Sequence, residues 1–312
     1  MSTDVSPPPL PMTIAAVERD TRIGKDTLRV WERRYGFPRP DRDAHGERIY
    51  PIEQVERLRH VKRMLDAGHR PGRIVGLSLE DLQRLGAAAP PSARGGVADE
   101  RDGLEVTRLF ELLRAHDLSS LRSALGQALL RLGLERFVIE LAMPLVKEVG
   151  QAWANGQLEI FEEHLCSETL ETALRAAMSA APDTGGQARP RVLLSTLPFE
   201  AHGLGLLMAD ALFLVHGCAN MNLGRQTPMH DLVLASQAHR ADIIALSFSA
   251  ATNPNQATDS LIELRSRLPP QIEIWAGSPL PALQRRTLEG VTLMSRLDAI
   301  GPELARWRMR PA

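Results

Sequence analysis

Residues 191–205 read RVLLSTLPFEAHGLG: an apolar, strand-like run, a loop that carries His202, and the start of a helix-like run. Three more short apolar runs follow, ANMNLG (219–224), DIIALSFS (242–249) and EIWAG (273–277), with helical stretches between them. Alternating strands and helices predict a doubly wound parallel sheet. Ligands of such sheets bind beyond the carboxyl ends of the strands, which is where His202 lies.

The sequence predicts three blocks joined by linkers. The middle block is helical throughout, with apolar residues at helical spacing (Leu121, Leu125 and Leu129), which predicts a four-helix bundle. The expected fold class is multidomain, with α and α/β parts. The predicted limits are a disordered tail (1–11), the N-terminal block (12–85), a linker (86–103), the middle block (104–181), a linker (182–190) and the C-terminal block (191–312).

Composition is that of a globular protein, with 44% hydrophobic and 24% charged residues among 312. The two cysteines, Cys166 and Cys218, have no metal-type spacing and fit a reducing cytoplasm, where we expect the protein. Residues 22–73 hold 14 Lys and Arg against 8 Asp and Glu, a net charge of +6, so the rest of the chain carries −7. A basic segment on an acidic chain indicates a polyanionic partner for that segment.

The N-terminal block predicts a DNA-binding element. TIAAVERDTRIGKDTLRVWERRYG (13–36) reads as two helices around a tight turn. Apolar Leu28 and Trp31 fall on one face of the second helix, which suits a helix packed on one side and laid into the major groove on the other. A Gly turn between extended arms follows and fits a wing that contacts phosphates. The candidate DNA-binding residues are Thr27, Arg29 and Arg33 of the helix and Arg42, Arg48 and Tyr50 of the wing.

Each of these arginines, taken singly, also fits an ordinary solvated surface residue with no role in DNA binding. In combination, TLRVWERRYGFPRP, the Gly turn and RIYP resemble the winged helix-turn-helix of the MerR family of transcriptional regulators. The Trp of the second helix and the ERRYG ending are most similar to the members that carry cobalamin-binding domains and to their close kin that lack the cofactor. The resemblance implies operator DNA as a partner.

In the middle block, Trp153 precedes Glu163 and His164 by nine intervening residues. By themselves, Trp153 fits an aromatic residue of the core, and Glu163 and His164 fit a surface pair on a helix. The pattern resembles the helix bundle of CarH-type and LitR-type cobalamin photoreceptor repressors, and that resemblance implies that all three contact the upper face of the cofactor. In light-sensing members a His directly follows the Trp, whereas this chain has Ala154, which leaves light sensing open.

The loop after the first strand of the C-terminal block carries Glu200, His202 and Gly205 in the pattern E-x-H-x-x-G. This pattern alone also fits a loop in which the histidine binds no metal. It is similar to the motif of cobalamin-binding modules, and the resemblance implies His202 as the lower axial cobalt ligand. A ligating His commonly donates its other N–H to a carboxylate, here Glu200. Gly203 and Gly205 would let the corrin approach the backbone.

The same resemblance implies a slot for the displaced nucleotide tail of the cofactor, lined by Ser247, Gly277 and Ser278. Relatives carry Gly-Gly where this chain has Gly277-Ser278. No G-x-G-x-x-G follows a strand, so a dinucleotide site is not indicated.

We therefore expect a DNA-binding regulator, a repressor, that binds adenosylcobalamin or another cobalamin, forms a homo-oligomer, lacks a membrane span and is not an enzyme. Two alternatives stay open. The first is a MerR-type regulator that keeps the fold and answers to a protein partner instead of cobalamin. The second is the cobalamin carrier module of a methyltransferase or mutase.

Overall fold

The computed structural model describes residues 11–21, 23–66, 69–87, 100–180 and 188–310. The chain forms two compact units, each described here by itself. The first comprises residues 1–92 and 151–157, and the second residues 93–150 and 158–312. No helix in the described ranges is long and apolar enough to cross a membrane.

The first unit is built on two helices and a small sheet, as the sequence predicts. Helices α1 and α2 are separated by a short turn, and strands β1, β2 and β3 form an antiparallel sheet in the order β1-β3-β2. The bounds are β1 (Met12–Thr13), α1 (Ile14–Thr21), α2 (Lys25–Tyr35), β2 (Asp41–Arg42), β3 (Arg48–Tyr50), α3 (Ile52–Asp66), α4 (Pro71–Ile74) and α5 (Leu79–Ala87). Gly46, with φ 79°, makes the turn between β2 and β3, because only glycine adopts this conformation without strain.

One apolar cluster holds this unit together. Leu28 and Trp31 on α2 pack with Val17 of α1 and with Leu58 on α3. Glycine favours the position just after a helix, so the sequence predicts that the helix after the wing ends at Gly68, which falls outside the described residues. The predicted linker 86–103 is shorter than expected, because α5 reaches Ala87 and the next helix begins at Glu100.

The second unit contains helices of the predicted bundle. They are α6 (Glu100–Arg114), α7 (Leu118–Arg136), a π-helical turn (Phe137–Ala142), α8 (Met143–Ala154) and α9 (Ile160–Ser179). Gly133, with φ 72°, interrupts α7 before the π turn. Leu121 and Leu125 are buried, which agrees with the apolar spacing. The last four residues of α8, 151–154, are part of the first unit.

A five-stranded parallel sheet of order β5-β4-β6-β7-β8 follows. Its elements are β4 (Arg191–Ser195), α10 (Leu204–Val215), β5 (Ala219–Asn222), α11 (Met229–Ala238), β6 (Ile243–Ser247), α12 (Pro254–Arg267), β7 (Glu273–Gly277), α13 (Pro281–Gln284), β8 (Val291–Met294) and α14 (Ile300–Arg308). The interiors of β4, β6 and β7 are fully buried, as expected for a parallel sheet covered on both faces. The order reverses at β4, which places the loop carrying His202 at the switch point.

Candidate functional site

The loop between β4 and α10 is fixed by Glu200, whose side chain is 2% exposed. Glu200 Oε1 accepts the backbone N–H of His202 at 2.8 Å and lies 2.6 Å from His202 Nδ1. Oε2 accepts the backbone N–H and the hydroxyl of Ser249, each at 2.8 Å, and the hydroxyl of Thr252. Both carboxylate oxygens are thus engaged by the loops after β4 and β6.

These bonds set the charge of the carboxylate. Burial by itself raises the pKa of Glu200, but hydrogen bonds from His202, Thr252 and the backbone of Ser249 outweigh it and lower the pKa to about 2. Glu200 is therefore an anion at neutral pH and fixes the orientation of the neighbouring imidazole. The His202 side chain itself is 62% exposed, beyond the end of the strand.

The rest of the loop is tied to the turn after β5. The hydroxyl of Thr196 donates to the carbonyl oxygen of Glu200 at 2.7 Å and accepts the backbone N–H of Gln226 at 2.8 Å. Ser195 donates to the hydroxyl of Thr227 at 2.7 Å. The backbone that presents His202 is therefore held from both neighbouring strands.

Gly205 allows a close approach at this edge, because a Cβ built on it would lie 3.1 Å from Ser247 Oγ. Ser247 and Gly277 are paired at the carboxyl ends of β6 and β7. Ser278 is buried, and its Oγ accepts the backbone N–H of Leu280. The structure thus brings together the predicted residues Glu200, His202, Gly203, Gly205, Ser247, Gly277 and Ser278 at one edge of the sheet.

The remaining predicted cofactor residues lie elsewhere in the chain. Glu163 and His164 form a pair at the start of α9, with His164 Nδ1 2.6 Å from Glu163 Oε2. Trp153 belongs to the first unit, and its indole Nε1 is buried without a hydrogen-bond partner among the residues that the structure describes. Gly156, in the same turn, has φ 72°, and a Cβ there would lie 3.0 Å from His60 Nε2.

On the DNA-binding side, α2 exposes Thr27, Arg29 and Arg33 opposite its buried residues. Arg29 pairs with Asp26 at 3.1 Å. In the wing, Arg48 pairs with Glu32 at 3.0 Å and Arg42 donates to the carbonyl of Gly46 at 2.6 Å.

The prediction for Tyr50 is wrong. Tyr50 is 0% exposed and belongs to the apolar cluster of the first unit. A buried side chain cannot reach a phosphate.

Sequence reasoning missed Ser249 and Thr252, which anchor Glu200. A signal existed, because small polar residues directly follow β6 in SAAT (249–252). At the carboxyl edge of a parallel sheet such residues are candidates for a site.

Known protein families match two stretches of the chain. A model described as "MerR HTH family regulatory protein" matches residues 12–85, and one described as "B12 binding domain" matches residues 106–177. The chain is 33% identical to the HTH-type transcriptional repressor CarH of Myxococcus xanthus, over 85% of this chain and 87% of that protein. The chain belongs to this family of MerR-type transcriptional repressors. CarA of the same organism is 30% identical, over 78% of this chain and 79% of CarA.

Among solved structures, the Methanosarcina barkeri monomethylamine corrinoid protein shares the fold, with a TM-score of 0.51 at 11% identity over 65% of this chain and 97% of that one. The predictions of the family, of the fold class and of a cobalamin as cofactor are confirmed. The chain is a cobalamin-dependent, DNA-binding transcriptional regulator and not an enzyme.

Proposed function

We propose that this chain binds an operator and represses transcription from it, and that this binding depends on adenosylcobalamin. In this proposal His202 is the lower axial cobalt ligand. The pair formed by His202 and the buried Glu200 carries the proposal, because it fixes an exposed imidazole at the switch point of the sheet. When bound, the cofactor supplies a cobalt centre whose upper axial ligand can be lost.

The residues present fit such a group. Since Glu200 holds Nδ1, Nε2 is the ring nitrogen that would serve the cobalt, and imidazole oriented by a carboxylate is a common metal ligand in proteins. The close approach of Gly205 to Ser247 Oγ leaves little room for a side chain at position 205. We propose Ser247, Gly277 and Ser278 as the lining of the slot for the nucleotide tail, and Gly203 and Gly205 as the backbone below the corrin.

For the upper face, we propose contacts from Trp153, Glu163 and His164, on the resemblance to cobalamin-binding repressors. Ala154 follows Trp153 and has no side-chain atom that binds cobalt. Light-driven capture of cobalt by a side chain at that position is therefore not available to this chain. The two candidate signals are the supply of cofactor and light that acts through another residue.

For DNA, we propose that Thr27, Arg29 and Arg33 enter the major groove and that Arg42 and Arg48 contact phosphates. All except Arg48 are well exposed, and Arg48 is half-buried. We further propose a homo-oligomer, in which several DNA-binding segments on one assembly raise the affinity through effective concentration. Occupancy by the cofactor would shift the population of oligomers.

The experiment is an absorption spectrum of the purified chain after incubation with adenosylcobalamin in the dark and desalting. We expect the wild type to retain corrin bands with a base-off shift, and His202→Ala to lose the shift or the corrin. His239→Ala, which removes an exposed histidine at the end of α11, is the matched control and should behave as the wild type.

The same samples are then illuminated and passed through a size-exclusion column. An elution volume that changes with adenosylcobalamin supports cofactor-controlled assembly, and a further change with light supports photoreception. A wild type that retains no corrin would refute the proposed dependence and favour control by a protein partner.

A further inference from the structure

A cleft of about 460 Å³ opens beside the loop that carries His202. It lies within the second unit, between α9, α10 and the turn after β5. Gly203, the residue that directly follows His202, forms part of its wall. The cleft therefore adjoins the backbone that presents His202.

The wall of the cleft is polar and balanced in charge. Arg175 and Arg225 contribute two cationic groups, and Glu171 and Asp210 contribute two carboxylates. A wall of zero net charge favours neither an anion nor a cation over the other. It provides hydrogen-bond donors and acceptors side by side, which suits a neutral polar group that has both.

Asp210 is the fixed acceptor of the cleft. It is 7% exposed, and its two oxygens accept the side-chain amides of Asn220 and Asn222, each at 2.9 Å. A carboxylate offers about four lone-pair positions, so Asp210 can accept a further bond from the cleft. The amide oxygen of Asn220 has no partner among the described residues. The two amides therefore fix the orientation of Asp210, although this arrangement leaves the amide oxygen of Asn220 without a hydrogen bond from the described residues.

Arg225 is the cation of the cleft that contacts Gly203, the residue after His202. Its stem packs on Gly203 so closely that a Cβ there would lie 2.7 Å from Arg225 Cδ. Within the described part of the chain, no ion pair or hydrogen bond of its guanidinium is found. On the opposite wall, Arg175 pairs with Glu171 at 3.4 Å. Both cations can therefore donate to a ligand group in the cleft.

We propose that this cleft binds one carboxamide side chain at the corrin periphery, with Asp210 accepting from its NH2 group and Arg225 donating to its oxygen. The inference rests on the proposed binding of cobalamin through His202. A corrin carries carboxamides around its rim, and a carboxamide is a neutral group with both donors and an acceptor. Its replacement by a carboxylate would set two anions against each other in a partly buried site.

The experiment measures the binding of adenosylcobalamin and of its derivatives in which one propionamide is hydrolysed to the monocarboxylic acid, by absorbance titration in the dark. We expect one derivative to bind the wild type at least about tenfold more weakly than the parent. Asp210→Asn should bring parent and derivative within about threefold, because the new amide can donate to the carboxylate. Asp259→Asn, an exposed residue of α12, is the control and should keep the discrimination.

A second variant tests the donor without changing Asp210. Arg225→Met keeps the stem on Gly203 and removes the guanidinium, so we expect affinity for the parent to fall about tenfold or more, which is the loss expected for a hydrogen bond from a charged group. Arg267→Met at the far end of α12 is its control.

Equal binding of the parent and every monocarboxylic acid by the wild type would overturn the proposal, as would equal affinities of Arg225→Met and Arg267→Met for the parent. Failure of the cobalamin proposal itself looks different, since the wild type would then retain no corrin in the desalting experiment.

Discussion

In the N-terminal block the basic side chains of α2 and the wing project from the surface, whereas in the C-terminal block the carboxylate that holds His202 is buried. Arg29 and Asp26 form an exposed ion pair, with 48% and 84% of their side chains accessible. Such pairs contribute roughly 0–1 kcal/mol. Glu200 is 2% exposed and has both oxygens occupied.

The difference fits the roles that we propose for the two surfaces. A phosphate backbone is a repeating target, and arginines that are weakly held can adjust to it. A metal ligand must be aimed at one point, which requires a fixed second group behind it. We therefore expect substitutions behind His202 to disturb the fold, and substitutions of the exposed residues of α2 to act mainly on the affinity for DNA.

The largest effect is expected for Glu200→Ala. This change leaves the backbone N–H and hydroxyl of Ser249 and the hydroxyl of Thr252 without their acceptor in a buried loop. We expect the free energy of unfolding to fall by about 3–5 kcal/mol, measured by urea denaturation at pH 7. Glu263→Ala, which breaks an exposed pair with Arg267, is the control and should cost under about 1 kcal/mol.

The pH dependence of Glu200→Gln sharpens the same contrast. Because folding lowers the pKa of Glu200 from 4.5 to about 2, its ionised form stabilises the fold fully above pH 4.5, and this contribution is lost as the pH falls towards 2. The stability difference between wild type and Glu200→Gln should be nearly constant from about pH 7 to 5 and shrink between about pH 4.5 and 3. A difference that does not change with pH would contradict an ionised, buried carboxylate.

Gly205→Val tests the close approach at the sheet edge. The new side chain would meet Ser247 Oγ, so we expect a loss of about 1–3 kcal/mol in unfolding free energy. Ser247→Gly in the same chain should restore part of that loss, since the two positions contact each other. If the effects of the two changes on the unfolding free energy are additive, the loss comes from valine at the start of α10 and not from its contact with Ser247.

On α2, Arg33→Ala should leave stability unchanged and weaken DNA binding. Loss of one phosphate or base contact is expected to lower the affinity about 5- to 10-fold and, for a phosphate contact, to reduce the salt slope by about 1. Fluorescence anisotropy with duplex DNA at several salt concentrations measures both. Arg84→Ala on α5 is the control, because Arg84 is exposed and paired with Glu80 and Asp81.

Much of the fold follows from the sequence, because periodicity reports burial. The runs in 191–197, 219–224, 242–249 and 273–277 each contain a strand of the sheet. Strand β8 (Val291–Met294) escaped prediction, because it is a short edge strand whose first three residues are only half-buried and carry a weak apolar signal.

The candidate site could be predicted only in part. His202 and Glu200 are close in sequence, so their pairing follows from spacing, and the structure places them in contact. Thr252 lies 52 residues from Glu200, and no local pattern links them. Tyr50 shows the converse, since an aromatic residue in a basic wing reads as a surface residue, whereas tertiary packing buries it.

The smallest effect is expected for Asp26→Asn, which releases Arg29. Asp26 holds Arg29 at 3.1 Å and also places a negative charge at the start of α2. Its removal should raise the affinity for duplex DNA about threefold, because one phosphate repulsion is lost and one arginine becomes available. Stability should fall slightly, because the carboxylate favours the helix N-terminus. Higher DNA affinity by anisotropy together with lower stability in urea would show that Asp26 stabilises the fold and weakens DNA binding. Weaker DNA binding would instead mean that Asp26 orients Arg29, as Glu200 orients His202.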